Sequence, residues 1–311
     1  MPWDELRPPL IVVVGPTAVG KTELAIWLAE RLGGEILSAD SRLFYRGMDI
    51  GTAKPDRAEL SRVSHHLIDV AAIDETWSLA LFQKAAKFSI QDIHRRGKIP
   101  FLVGGTGQYI QAVVEEWEIP AQLPDLRLRD ALEAWGRAIS PAELHRRLAV
   151  VDAEAAARIE PNNLRRTVRA LEVLFHTGQK FSAQRKKGQS PYRVLQIGLS
   201  RPRPVLYRRI DERIERMLAD GLLAEVEGLL AQGYAADCSP FSAIGYREML
   251  QVLRGEITLD EAVVLMKRAT RQFVRRQYNW FKLEDPAIYW FDLDQVGVNV
   301  IEGVLRNWIN S

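Results

Sequence analysis

The sequence predicts an α/β protein: a parallel sheet flanked by helices, with a mainly helical insertion. Three observations predict it. Short β-branched apolar runs alternate with helical periodicities through the first third of the chain. One of these runs leads into a glycine-rich loop that opens a helix. After Trp117 the pattern changes to short, Arg-rich helical segments punctuated by Pro120, Pro124, Pro141 and Pro161, with no clear strand until Tyr192. With 311 residues and 47% apolar composition, the chain has room for a full α/β core and one smaller domain.

The elements follow in order. Leu10 to Val14 is a buried-strand run stopped by Gly15 and Pro16. Leu24, Ala25, Leu28 and Leu32 then repeat at helical spacing up to Gly33-Gly34. Residues 35–38 read as the next strand and "HLIDV" (66–70) as another. A long helix over about 77–96 precedes the apolar run in "KIPFLVGGTG" (98–107). This order predicts a doubly wound parallel sheet with its ligand at the carboxyl ends of the strands. Residues 120–190 read as the helical insertion, leaving 1–119 and 191–311 as the core. The sheet resumes at "YRVLQIGLS" (192–200). Leu206, Ile210, Ile214, Met217 and Leu218 form one helical stripe, 259–283 is a further helix, and "AIYWFDL" (287–293) is a late strand.

Gly15-x-x-x-x-Gly20-Lys21-Thr22 is the P-loop pattern in its strand–loop–helix setting, which makes the predicted sheet P-loop NTPase-like. Its glycines let successive backbone N–H groups turn onto phosphate oxygens at the positive end of a helix dipole. Lys21 adds a point charge, and the Thr22 hydroxyl can ligate Mg²⁺, the expected cofactor. Gly15, Thr17, Ala18, Val19, Gly20, Lys21 and Thr22 are therefore the expected phosphate-holding residues.

A P-loop kinase also needs an acid at a strand end to organise Mg²⁺. Asp69 after "HLI" is one source. The run "PFLV" is not, because it ends in Gly104-Gly105-Thr106-Gly107, which offers N–H groups and a hydroxyl but no carboxylate. Asp40 follows the strand at 35–38, within "SADSRLFYRGMDIGTAKP" (38–55). That places Asp40 and Ser41 beside the mouth of the loop, where a carboxylate suits general-base work. On the residues alone, a nucleoside or small-metabolite kinase with an Arg-rich lid stays open, and so does an RNA-binding module with a relic loop.

Charge narrows the partner. Residues 119–200 hold 14 Lys and Arg against 8 Asp and Glu, so this stretch carries +6 in a chain whose net charge is +2. Such a concentration argues for a polyanion there, and Arg185-Lys186-Lys187 is its plainest patch. Cys238 is the only cysteine, which excludes an intrachain disulfide and fits a reducing compartment. The N-terminal "MPWDELRPPL" lacks the order of a signal peptide, and no apolar run approaches membrane-spanning length, so a soluble cytoplasmic protein is expected. His65-His66 does not read as a metal site, since neighbours on a strand point to opposite faces. Of the eight tryptophans, Trp77, Trp135 and Trp280 read as core or interface residues.

The motifs "GPTAVGKT", "ADSRLFYRGMDIGTAKP", "HHLIDV", "VGGTGQY", "RALEV", "AIGYRE" and "TRQFVRRQYNWF" occur in the order seen in the tRNA dimethylallyltransferases, also called tRNA isopentenyltransferases. From about Ile11 to Phe281 the chain resembles that family, in its bacterial type. The resemblance implies that the loop holds the pyrophosphate of dimethylallyl pyrophosphate. The group transferred is then the C5 prenyl chain, and the acceptor is N6 of the adenosine immediately 3′ of the tRNA anticodon. It implies that Asp40 is the base, that Thr106 stands beside the reacting groups, and that Arg213 contacts the pyrophosphate. A flipped adenine and the prenyl donor would enter opposite ends of a channel.

The same resemblance implies tRNA contacts in four places. Asp40, Ser41, Arg42 and Leu43 form the first, with Thr106. Arg129 is the second. Arg165, Arg166, Thr167, Val168 and Arg169 form the third, with 165 and 169 on one helix face. Ser242, Ala243, Ile244, Gly245, Tyr246 and Arg247 form the fourth. Two positions depart from the commoner pattern: Leu43 where many members have Gln, and Val19 where many have Ser. A related transferase acting on free adenine nucleotides is disfavoured, because a nucleotide acceptor needs no basic insertion. The tRNA anticodon stem-loop and dimethylallyl pyrophosphate are the expected partners, with no membrane, and the chain is expected to be a monomer.

Overall fold

In the computed structural model, which describes residues 7–119, 125–184 and 188–311, β1 (Pro9–Val14) is buried along its whole length at the middle of a six-stranded sheet. The other strands are β2 (Gly34–Ser38), β3 (His65–His66), β4 (Ile99–Val103), β5 (Arg193–Ser200) and β6 (Ile288–Asp292). Their order is β3-β2-β4-β1-β5-β6, and every pairing is parallel. Ile11 sits between Phe101 on one side and Leu195 on the other. β1, β2 and β4 are buried at every position, as expected of parallel strands covered on both faces. The chain reverses its direction of travel across the sheet on either side of β1. A crevice at the carboxyl end of β1 and β4 is therefore the favoured ligand position.

The helices are α1 (Lys21–Leu32), α2 (Arg57–Arg62), α3 (Leu79–Arg95), α4 (Gly107–Val114), α5 (Leu126–Ile139), α6 (Pro141–Val151), α7 (Ala153–Ala157), α8 (Leu164–Thr177), α9 (Arg203–Ala219), α10 (Leu222–Ala231), α11 (Tyr246–Leu253), α12 (Leu259–Trp280) and α13 (Val298–Asn310). Their ends follow local chemistry. Gly33 closes α1 in the left-handed conformation, Ser78 caps α3, and Thr258 with Glu261 forms a capping box on α12. On α9 the stripe Leu206, Ile210, Ile214 and Met217 is buried, and α9 to α12 pack on one another.

One sequence expectation fails. "HLIDV" does not continue as a strand: β3 ends at His66, and Leu67 and Asp69 take left-handed φ values of +62° and +56°. The chain leaves the sheet there because it finds other partners. The Asp69 N–H donates to Leu43 O (3.1 Å) and the Ala71 N–H to Phe44 O (2.9 Å), so residues 67–71 pair with the turn after Asp40. The two histidines go separate ways. His66 Nε2 meets Glu35 at 2.7 Å, and His65 Nδ1 meets Val63 O. Burial acts to raise the pKa of Glu35, but hydrogen bonds from Arg96, His66 and Lys98 outweigh it and hold the carboxyl down at about 2.

The chain divides into two compact units. One comprises Met1–Val114 with Ser190–Ser311 and carries the sheet; the other is Glu115–Gln189. The second has its own core, built from Leu132, Leu144, Leu148, Ile159, Val168 and Leu171 on α5 to α8 and their connections. Within it, buried Asp152 caps α7 and also accepts from the Ser182 N–H at 2.9 Å. Glu172, 2% exposed, takes two hydrogen bonds from Arg129 and one from Arg169. Among the described residues no helix is long and apolar enough to cross a membrane.

Candidate active site

The P-loop runs from the end of β1 into α1. Gly15 has φ +144°, and a Cβ there would lie 2.6 Å from the Leu199 carbonyl oxygen of β5, so only glycine fits. Ala18 (φ +65°) and Gly20 (φ +112°) are also left-handed, a backbone that gathers successive N–H groups into an anion nest. The carbonyls of the loop are held by cations. Lys21 Nζ donates to Gly15 O (3.0 Å) and Pro16 O (2.8 Å), Arg209 Nε to Ala18 O (2.8 Å) and Arg201 Nε to Val19 O (2.9 Å). Val19 is fully buried, so its side chain is not offered to an anion. Thr22 is exposed on the first turn of α1.

Two side chains tie this loop to its surroundings. Gln277 of α12, 3% exposed, accepts from the Thr17 N–H at 2.8 Å and donates through Nε2 to Gly105 O at 3.2 Å. Thr17 therefore spends its amide on the protein, and so does Val19, whose N–H donates to Pro16 O at 3.4 Å. A Cβ on Gly105 would come within 2.0 Å of Gln277 Nε2, which explains glycine in the turn after β4. Next to it, Thr106 Oγ1 accepts from the Ser41 N–H at 3.4 Å. Asp40, half-buried, accepts the Arg42 N–H on Oδ1 at 3.0 Å, an Asx turn that fixes its carboxylate.

Asp40 is close enough to influence both cations of the site. Burial lowers the Lys21 pKa to about 8, Asp40 opposes that fall, and Arg213 adds to it. Arg213 on α9 is likewise lowered by burial and supported by Asp40, and its guanidinium donates to Thr52 O at 3.1 Å. The carboxyl ends of β1, β2 and β4 thus bring together an N–H nest, Lys21, Arg213, Asp40 and Thr106. Tyr109, on the first turn of α4, stacks on Phe82 at 4.5 Å, and its hydroxyl is pushed up to about 12, chiefly by burial.

Asp69 does not serve as a strand-end acid. It pairs with Lys54, which also takes Asp49 and Tyr45 O. Among the described residues no three His, Cys, Asp or Glu side chains gather into a metal-binding group. The donors that do stand here, the Thr22 hydroxyl beside a phosphate nest, are hard oxygens of the kind Mg²⁺ takes when a substrate supplies the remaining ligands.

The expected RNA-contacting residues divide by burial. Arg42 and Ser242 come together, with the guanidinium donating to Ser242 Oγ at 3.3 Å, and Arg247 is exposed. Ala243, Gly245 and Tyr246 are buried, because the turn into α11 faces the core; the Tyr246 hydroxyl donates to Glu225. The side chains of Ala243 and Tyr246 are thus turned into the protein, and Gly245 has only its backbone to offer. Ile244 and Leu43 are half-buried. In the helical unit Arg165 and Arg166 are exposed, and Arg129 and Arg169 meet on Glu172. Thr167 (0% exposed) and Val168 (1%) are buried within that unit. The patch 185–187 lies outside the described residues.

A cleft of about 330 Å³ between α11 and α12 is lined by Arg247, Gln251, Arg268 and Gln272. It escaped the sequence reading, as did Gln277, Arg201 and Arg209. Gln277 and Arg268 lie in or beside "TRQFVRRQYNWF", whose Arg and Gln density was the available signal. Trp77 sits against Phe44, and Trp280 fills the space that glycine leaves at position 107. Trp135 is 38% exposed under the Arg147 guanidinium.

A parallel sheet with a phosphate nest after its central strand, and a glycine turn in place of an acid after the neighbouring one, defines a P-loop α/β protein. The IPP transferase family model matches residues 43–284, and a tRNA dimethylallyltransferase of Roseiflexus sp. strain RS-1 is 49% identical over 308 residues, 97% of this chain and 99% of that protein. The chain belongs to the IPP transferase family. A tRNA dimethylallyltransferase of Thermomicrobium roseum is 46% identical over 94% of this chain and 88% of its own length. Among solved structures, the full-length tRNA isopentenylpyrophosphate transferase of Bacillus halodurans superposes with TM-score 0.72 at 41% identity, covering 97% of each chain. A eukaryotic dimethylallyltransferase, described as acting on tRNA, gives TM-score 0.79 at 28% identity, over 97% of this chain and 79% of that one.

Proposed function

We propose that this chain transfers the dimethylallyl group of dimethylallyl pyrophosphate to N6 of the adenosine 3′-adjacent to the tRNA anticodon, releasing pyrophosphate. The observation that carries this reading is the meeting of Asp40 with Lys21 and Arg213 at the mouth of a phosphate nest, opposite a glycine turn that lacks an acid. A carboxylate there has a proton to accept, and the cations have an anion to stabilise.

The residues divide the work. N–H groups of Ala18 and of residues 20–22, Lys21 and Arg213 hold the pyrophosphate. Thr22 would hold Mg²⁺, which supplies further charge neutralisation to the leaving group when bound. The lone pair of N6 forms the N–C bond at C1 of the allyl chain, and the C1–O bond breaks with its electron pair leaving on pyrophosphate. Asp40 accepts the N6 proton as the bond forms, because an adenine amino group is otherwise a feeble nucleophile. Thr106 orients the Asp40 loop through Ser41 and lies beside the acceptor. The target base must leave its stack to arrive there.

Arg165, Arg166, Arg129 and Arg169 of the helical unit, with Arg42, Ser242 and Arg247 of the sheet unit, contact the anticodon stem-loop. The reading carries a cytoplasmic, monomeric enzyme. Its experiment uses purified protein, dimethylallyl pyrophosphate labelled in the prenyl chain, and either unmodified tRNA or AMP as acceptor. Label must enter tRNA and not AMP. Phosphoryl transfer from γ-labelled ATP to an acceptor, with no prenylation of tRNA, would favour a kinase instead.

Two further outcomes follow from the charges. In the free enzyme Lys21 is charged below pH of about 8 and neutral above it. So kcat/KM for the donor falls above that pH by about tenfold per unit, and the limb vanishes in Lys21→Met. tRNA affinity falls roughly 10- to 100-fold between about 50 and about 200 mM salt. Arg165→Ala with Arg166→Ala flattens that slope by about one to two charges, measured by filter binding.

A further inference from the structure

Glu225 of α10 has no place in the chemistry above, yet its carboxylate accepts four hydrogen bonds. Oε2 takes the N–H groups of Asp49 (2.9 Å) and Ile50 (2.7 Å); Oε1 takes the N–H of Gly51 (3.2 Å) and the Tyr246 hydroxyl. Three consecutive backbone donors converging on one carboxylate make a nest whose anion belongs to the protein. The loop is fitted closely around it: a Cβ on Gly51 would come within 2.4 Å of the buried Tyr246 ring.

The next residue after this nest carries the consequence. Thr52 O is the acceptor for the Arg213 guanidinium at 3.1 Å. Arg213 is a long side chain in a setting that disfavours its charge. Aimed only by its own rotamers, it would lose considerable side-chain entropy on meeting an anion. A fixed carbonyl removes part of that cost beforehand. Lys54, two residues further on, anchors the same loop through Tyr45 O, Asp49 and Asp69, so the carbonyl is held from both sides.

We infer that Glu225 is a positioning residue for donor binding: it sets residues 49–52 and, through Thr52 O, aims Arg213 at the pyrophosphate. This rests on the reading of Arg213 given under the proposed function. Tyr246 keeps Glu225 in register, which gives the buried tyrosine of "AIGYRE" a part that does not involve touching RNA.

Glu225→Gln is the test. An amide keeps the size of the side chain but replaces one acceptor oxygen with a donor, so at least one pair of loop or tyrosine donors loses its partner. The affinity for inorganic pyrophosphate, measured by titration calorimetry, drops about tenfold, and KM for dimethylallyl pyrophosphate rises to match. tRNA affinity stays near wild type and the melting temperature falls by only a few degrees, about what the lost hydrogen bonds cost, whereas a general loss of structure would abolish both. In an Arg213→Ala background the same substitution changes pyrophosphate affinity by less than about twofold, because the group it positions is gone. Equal effects in both backgrounds would overturn the inference. Arg213→Ala without effect on pyrophosphate affinity would instead remove the reading of Arg213 itself. Should Glu225→Gln not fold, Glu225→Asp, which keeps the charge and shortens the reach by one methylene, replaces it with the same expectations.

Discussion

Asp40→Asn lowers kcat for prenyl transfer by about 10²- to 10⁴-fold and leaves the tRNA dissociation constant within about threefold of wild type. Asparagine is the informative substitution because it spares the local fold. Oδ1 still accepts the Arg42 N–H, so the turn that presents the residue survives. What disappears is the capacity to take a proton and the negative charge that supports Lys21 and Arg213. The second loss predicts a side effect: without Asp40 the Lys21 pKa falls further, and the alkaline limb of kcat/KM moves to lower pH. Single-turnover prenylation of tRNA, with filter binding alongside, separates the two consequences. A variant that prenylates at close to wild-type rate would show that another group takes the proton.

Lys21→Met is the second large effect, a loss in kcat/KM of about 10²- to 10³-fold. Methionine keeps an unbranched, flexible stem of similar length and removes only the cation. Two roles end at once. The charge facing the departing pyrophosphate is lost, and Gly15 O and Pro16 O lose the ammonium that holds them. A loss confined to KM would mean that Lys21 binds ground state and transition state alike. A fall in kcat as well means that it acts on the leaving group as charge builds there. Lys21→Arg does not rescue the enzyme, because a planar fork cannot meet two loop carbonyls and a phosphate as a compact ammonium does.

What the chain announces and what it conceals divide by the range of the interactions involved. β1, the loop and α1 are legible because their signals are local: an apolar run, glycines where φ must be positive, and a helical repeat. Asp40 is legible for the same reason, as the carboxylate that follows a strand. β3 is not, because "HLIDV" has the composition of a strand while its backbone partners lie in the turn at 43–46. Gln277 and Glu225 are concealed more deeply. Their partners are 260 residues away for Thr17 and 176 for Asp49, and neither residue type signals a role by itself. Thr167, Val168 and Tyr246 show the converse limit. A motif says that a segment matters, whereas only its packing says which side chains face outward.

The carboxamide of Gln277 spans from the end of one strand to the end of its neighbour. Substitution at carbon is intolerant of spacing, since nucleophile and departing group must stay in line within a fraction of an ångström. Seats for those two groups borne on independent hinges would drift apart with every thermal fluctuation. Gln277 joins the loop after β1 to the turn after β4 through one carboxamide, so the segments proposed to seat the departing pyrophosphate and the acceptor share a direct hydrogen-bonded link.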